Sequence, residues 1–197
     1  MIEDIVDFYR GVRNTSREEI EGMMKEGLLA SGYHYFGDEF PEVALKHYGI
    51  DLKTAKLEDL IEMQDATPVT LERKNGENCM PLISTTVKPE EARYWGKNGY
   101  VLRIVIPKSK VAWSQEEARE DTILFNNMSN EQLARLKNNP AQKLEDEWLT
   151  TCERLSPKYI AGCFDTKTGE YVPNGDHPEN VGFKPEDHVL YKLANKQ

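Results

Sequence analysis

The chain contains no apolar run approaching the ~18 residues of a membrane-crossing helix, and no G-x-G-x-x-G or G-x-x-x-x-G-K-[ST] loop. A Rossmann domain and a P-loop are therefore unsupported. Its 3 cysteines (Cys79, Cys152, Cys163) are odd in number and show no C-x-x-C spacing, which points to reduced thiols rather than a disulfide framework. The 4 histidines (His34, His47, His177, His188) lack metal-ligand spacing, so no metal is expected. There is no excess of positive charge either. The formal net charge of -9 argues against simple electrostatic binding of nucleic acid and suits a basic partner surface. The acidic excess lies mostly in the first half, 19 Asp/Glu against 12 Lys/Arg in residues 1–100, which leaves room for a local basic groove.

The beginning, MIEDIVDFYRGV, is acidic and enters a β-like run directly, without the basic start and apolar stretch of a secretory signal. The expectation is a cytoplasmic protein, or one delivered into a target cell, with no membrane contact. The two N-x-[ST] matches, at Asn14 and Asn127, then carry no meaning.

At 197 residues, 39% hydrophobic and 30% charged, the chain reads as a single globular domain spanning residues 1–197. Alternation predicts a strand over 5–12. Ser16 and Glu19 form a capping box ahead of Ile20, Met23, Met24 and Leu28 at helical spacing. Further helices are expected over 40–48, stopped by Gly49, and over about 54–64.

From Pro68 the pattern turns to β, with strands over 69–71 and 80–86. A helix over 89–95 opens on Pro89, a residue suited to a first turn. The run YVLRIVIP (100–107) is the clearest strand. Short helices over 113–119 and 130–138 and strands over 147–151, 159–164 and 189–193 complete the set, with a turn at TKTG. Helices first and strands later predict an α+β fold with N-terminal helices and a mixed, mainly antiparallel sheet core.

Three small constellations carry chemistry. Arg10, in F-Y-R-G, can hold a phosphate bidentately, or be an ordinary strand arginine. Ser84-Thr85-Thr86 ends a strand in hydroxyls that either position a ligand or cap the next helix. In L-E-D-E-W-L-T-T, Glu145 and Glu147 share a face of a strand, with Asp146 as a solvent-facing spacer. Two such carboxylates form a solvated edge or stabilise cationic sugar chemistry.

The order aromatic-Arg-Gly, then S-T-T before a helix with aromatics, then E-x-E, resembles the R-S-E group of mono-ADP-ribosyltransferases, the arginine-type, cholera-toxin-like enzymes. The resemblance spans residues 5–193 on three short motifs, and departs from the group's S-T-S at Thr86. It implies an ADP-ribosyltransferase-like fold and NAD as substrate, with no metal. Glu147 would be catalytic, stabilising an oxocarbenium-like state, and Arg10 would hold the diphosphate or its ribose. Ser84 would brace Glu147 and the nicotinamide ribose, with Thr85 beside it, and the Gly11 backbone would grip the nicotinamide amide. Tyr94 or Trp95 would stack on nicotinamide or pack in the core. Glu145 would face the acceptor, pointing to a protein arginine. The loop over 138–144 corresponds to the group's target-recognition turn, and 109–127, with Trp113 and Phe125, forms either a cover over the substrate or a surface excursion. Alternatives are an RNA or DNA acceptor, as in toxin–antitoxin or phage-defence enzymes, and an inactive binding module. An antitoxin or inhibitor is a further partner class. The region between Arg10 and Ser84 is longer than in the compact toxins of the group, and its helices would carry a target- or partner-binding surface.

Overall fold

A computed structural model describes residues 3–70, 79–139 and 147–196, with the backbone alone at 66–70. Strand β1 (Ile5–Val12) leads into α1 (Arg17–Glu26). The Ser16–Glu19 capping box is formed in both directions, and Gly27, at φ +97°, ends the helix one residue before Leu28. Next come β2 (Leu28–Leu29), α2 (Ser31–Phe36), α3 (Phe40–Tyr48) and α4 (Leu57–Thr70). Gly49 closes α3 in the left-handed conformation that glycine adopts without a Cβ clash. Beyond them lie β3 (Ser84–Thr85), α5 (Pro89–Trp95), β4 (Tyr100–Pro107), β5 (Val111–Ala112) and β6 (Leu124–Asn126). The chain ends with α6 (Asn130–Asn138), β7 (Trp148–Thr150), β8 (Arg154–Leu155), β9 (Ile160–Asp165), β10 (Tyr171–Pro173) and α7 (Val189–Ala194).

This is an α+β fold with mainly antiparallel sheets. One four-stranded sheet has the order β1-β4-β9-β10, and a second has the order β3-β7-β6-β5, in which β5 and β6 are parallel. Strand β4 is interior to the first sheet and buried along its length, which accounts for its near-continuous apolar sequence. Among the described residues no helix is long and apolar enough to cross a membrane.

Contacts divide the chain into two compact units. The first comprises Met1–Gly27, Ser84–Leu149 and Ser156–Gln197, and the second Leu28–Ile83 and Thr150–Leu155. In the first, Tyr9, Ala92, Val101, Phe164 and Leu190 form an apolar cluster. Arg103, the one ionic group buried among the described residues, is matched by Asp7 (Nε to Oδ2, 3.1 Å), by the carbonyl of Glu179 and by the face of Phe183. The second unit has its own core of Phe40, Ala44, Met63 and Cys79. There Gln64 Oε1 accepts from the N–H of Leu82. The cysteines are free thiols, with Cys79 and Cys163 buried.

Four expectations are corrected. Residues 189–193 form α7, not a strand, because the His188 side chain accepts from the N–H of Leu190 and starts a helix. Residues 69 and 70 end α4 rather than opening a strand. Only Ser84 and Thr85 of the 80–86 run are in strand β3. The span 113–119 is irregular. The N–H of Trp113 donates to Glu117 Oε2 and that of Gln115 to the carbonyl of Met128, so neither propagates a helix.

Candidate functional site

Three strand segments of the first unit carry the candidate residues. The edge of β1 meets the segment after β3 at one isolated antiparallel bridge: Tyr9 N–H donates to the Thr86 carbonyl (2.8 Å) and Thr86 N–H to the Tyr9 carbonyl (3.0 Å). Continuing this register would put Gly11 opposite Ser84, but the ladder stops at the single bridge. The Ser84 carbonyl instead accepts from Arg10 Nη1 at 2.8 Å. Because N–H and C=O of every second residue point to the same edge, those of Gly11 face the side of β1 away from β4, where the two edges part.

Strand β3 pairs with β7 as Ser84↔Leu149 and Thr85↔Trp148. The ladder ends there, one residue short of Thr86 and Glu147, which brings the Ser84–Thr86 run beside Glu147. The hydroxyls of that run are divided. Thr85, 4% exposed, donates to the Trp148 carbonyl at 3.0 Å, so its hydroxyl serves the sheet. Thr86 Oγ1 donates to Glu91 and accepts from the N–H of Lys88, anchoring the start of α5. The Ser84 hydroxyl has no hydrogen bond among the described residues and is half-buried.

Glu147 is held by a residue the sequence does not flag. Asn127 Nδ2 donates to Glu147 Oε2 at 2.9 Å, and the Asn127 N–H donates to the Glu147 carbonyl at 2.9 Å. Gln115 Nε2 donates to Asn127 Oδ1 at 3.0 Å, which fixes the orientation of the Asn127 amide. Glu147 Oε1 has no partner among the described residues. Asn127 and Gln115, rather than Ser84, thus brace the carboxylate. Asn127 shows in sequence only as an N-x-S match, and Gln115 lies in a stretch that reads as helix.

The structure places the other candidates as follows. Gly11 is packed against α5: a Cβ there would lie 2.1 Å from the Ala92 carbonyl oxygen and 2.4 Å from the Gly96 nitrogen. The close approach that glycine permits at this position is to α5, while the Gly11 peptide groups stay on the open edge. Tyr94 and Trp95 are 75% and 62% exposed and meet edge to face at 5.3 Å, so neither packs in the core. Phe125 is a core residue of β6, whereas Trp113 is exposed and meets Trp148 edge-on at 5.3 Å. Trp148 in turn meets Phe8, the neighbour of Arg10 on its own face of β1, at 5.2 Å. Glu145, Asp146 and most of the loop over 138–144 lie outside the described residues.

The chemical content is a cation, a carboxylate with one fixed and one open oxygen, an unpaired hydroxyl and an open strand edge, on β1, β3 and the residue preceding β7. No family model and no curated protein matches the chain.

Proposed function

We propose that this chain is an NAD-dependent mono-ADP-ribosyltransferase, with an ADP-ribosyltransferase-like fold in its first unit. The observation that carries the reading is that Arg10, Ser84 and Glu147 stand on adjoining strand segments, with Arg10 Nη1 on the Ser84 carbonyl and Glu147 clamped just before β7.

NAD⁺ suits the groups gathered there. Glu147 Oε1 accepts a hydroxyl of the nicotinamide ribose, and its negative charge stabilises the positive charge that develops as the bond from ribose C1 to nicotinamide nitrogen breaks. Nicotinamide leaves with the bonding electron pair as a neutral molecule. An acceptor nucleophile then bonds to C1 and loses a proton. The Asn127 amide holds the carboxylate in place, so little reorganisation is needed during the reaction. Arg10 offers the diphosphate a charged, planar donor. Ser84 supplies a hydroxyl to the ribose, and the Gly11 peptide groups supply a donor and an acceptor to the nicotinamide amide. The acceptor class rests on Glu145 alone, whose position in E-x-E favours an arginine guanidinium.

The test is incubation of the protein with labelled NAD⁺ and whole-cell lysate, followed by separate protease and nuclease digestion. The reading predicts label on macromolecules that protease removes. Label that survives protease and is lost to nuclease would transfer the same chemistry to a nucleic-acid acceptor, and no label on either would contradict it.

A further inference from the structure

A cavity of about 330 Å³ opens beside α5, at the lower end of the range of small-molecule sites. It is lined by Glu90, Arg93, Tyr94, Lys97, Asn98, Thr166 and Lys167, all of the first unit. Arg10, Ser84 and Glu147 do not line it. Its charge runs against that of the chain: three cations and one carboxylate surround it in a protein of net charge -9.

None of these four charged side chains forms an ion pair among the described residues. Arg93 Nε is buried and has no hydrogen-bond partner among the described residues. A buried donor left unmade is costly, and such a group in a native fold asks for an acceptor. The floor is rigid. The Thr166 hydroxyl bonds the carbonyls of Gly96 (3.2 Å) and Gly99 (3.0 Å), and Asp165 Oδ1 accepts from the N–H groups of Lys167 and Thr168. Asn98 is held at φ +58° on the rim. Tyr94, 75% exposed, presents an aromatic face beside the cations.

We propose that this cavity binds a nucleotide unit, a phosphate ester joined to a planar ring. The phosphate oxygens accept from Arg93, Lys97 and Lys167, and the base lies against Tyr94. Arg93 is the lining residue whose guanidinium can grip a phosphate oxyanion bidentately, which an ammonium cannot. The exposed aromatic selects an anion that carries a ring, since bases stack on aromatic side chains with little regard to sequence. Tyr94 thus has a ligand role apart from nicotinamide. A free nucleotide and a nucleotide within a single strand present the same group.

Calorimetric titration with 5′-AMP, adenosine and a short oligouridylate tests this. We expect 5′-AMP to bind at least about tenfold more tightly than adenosine, and Arg93→Gln to remove that preference. A gain for the oligonucleotide over 5′-AMP marks a strand as the natural source, and no gain marks a free nucleotide. The exposed Lys167→Gln variant, which leaves the packing intact, should weaken 5′-AMP several-fold. Equal binding of 5′-AMP and adenosine, or a preference unchanged in both variants, overturns the site. Cleavage of NAD⁺ should be unaltered in Arg93→Gln. Its loss would overturn the assignment of a separate site, and leave the proposed transferase reading standing.

Discussion

Asn127 holds Glu147 at both ends, its backbone N–H on the Glu147 carbonyl and its side-chain amide on Oε2, each at 2.9 Å. A hydrogen bond to a charged group contributes about 1.5–3 kcal/mol. If Glu147 stabilises a cation, Asn127→Ala lowers kcat for NAD⁺ cleavage about 10–100-fold with KM little changed. In Asn127→Asp a second carboxylate faces the first, which raises one carboxyl pKa. The acid limb of the pH–rate profile therefore moves to higher pH. Steady-state kinetics across pH on both variants checks this, and an unmoved limb in Asn127→Asp would deny the contact a role.

Gln115 orients that amide through one neutral hydrogen bond of 3.0 Å. Its removal is milder. Gln115→Ala is expected to lower kcat about 2–10-fold, in line with a net 0.5–1.5 kcal/mol. The Asn127→Ala/Gln115→Ala double variant should fall no further than Asn127→Ala alone, because the second residue acts through the first. Additive losses in the double-mutant cycle would contradict this chain of contacts.

The path from sequence to fold was uneven for physical reasons. Strands 5–12 and 100–107 were legible because each carries a full-length β pattern, and α1 because both halves of its capping box are local. Residues 189–193 read as strand because Val189 and Tyr191 favour strands, while the helix start depends on a histidine acting as its cap. In the candidate site, the chain order of Arg10, Ser84 and Glu147 was readable. Asn127 was not, since its contact with Glu147 across 20 residues is set by the pairing of β6 with β7. Nor could sequence tell that Gly11 faces α5, for which the neighbouring helix must be in place.

Gly11→Ala would drive a methyl group into backbone atoms of α5 that cannot swing aside. Overpacking of this kind costs about 1–3 kcal/mol. The expected result is a lower Tm with an unchanged denaturant m-value, read by thermal and urea unfolding. A variant as stable as the parent would show that α5 is not packed on β1 in this way.

Asp7 is the acidic partner of the buried Arg103. Burial pulls the Arg103 pKa down, but Asp7 and the Tyr171 hydroxyl together leave it above its usual value. Asp7→Ala strands that charge and should cost about 3 kcal/mol. Replacing both, Asp7→Ala with Arg103→Met, should recover part of the loss. Chemical denaturation of the single and double variants decides it, and a double variant less stable than Asp7→Ala would contradict the stranded-charge account.

His188 accepts from the Leu190 N–H at Nδ1, so Nε2 carries the proton and faces the Tyr9 hydroxyl at 2.9 Å. Burial, and after it the Arg103 cation, lower its pKa from the usual 6.5, with Asp7 and Glu90 opposing and Lys192 reinforcing. The unfolded chain therefore takes up this proton at higher pH than the folded one. The resulting stability is present above about pH 6.5 and is lost as pH falls through the folded pKa. In His188→Asn, which keeps a capping acceptor without titrating, the decline of Tm below about pH 6.5 should be shallower. Parallel Tm–pH curves for the two proteins would rule His188 out as the source.

The most direct test of the central claim is release of nicotinamide from NAD⁺ by the parent protein and by Glu147→Gln, with equal Tm values showing both to be folded. The substitution keeps the shape and removes the charge proposed to stabilise an oxocarbenium-like state. The account predicts release by the parent and a loss of at least about a hundredfold in the variant. Equal release by both proteins, or none by either, would contradict it.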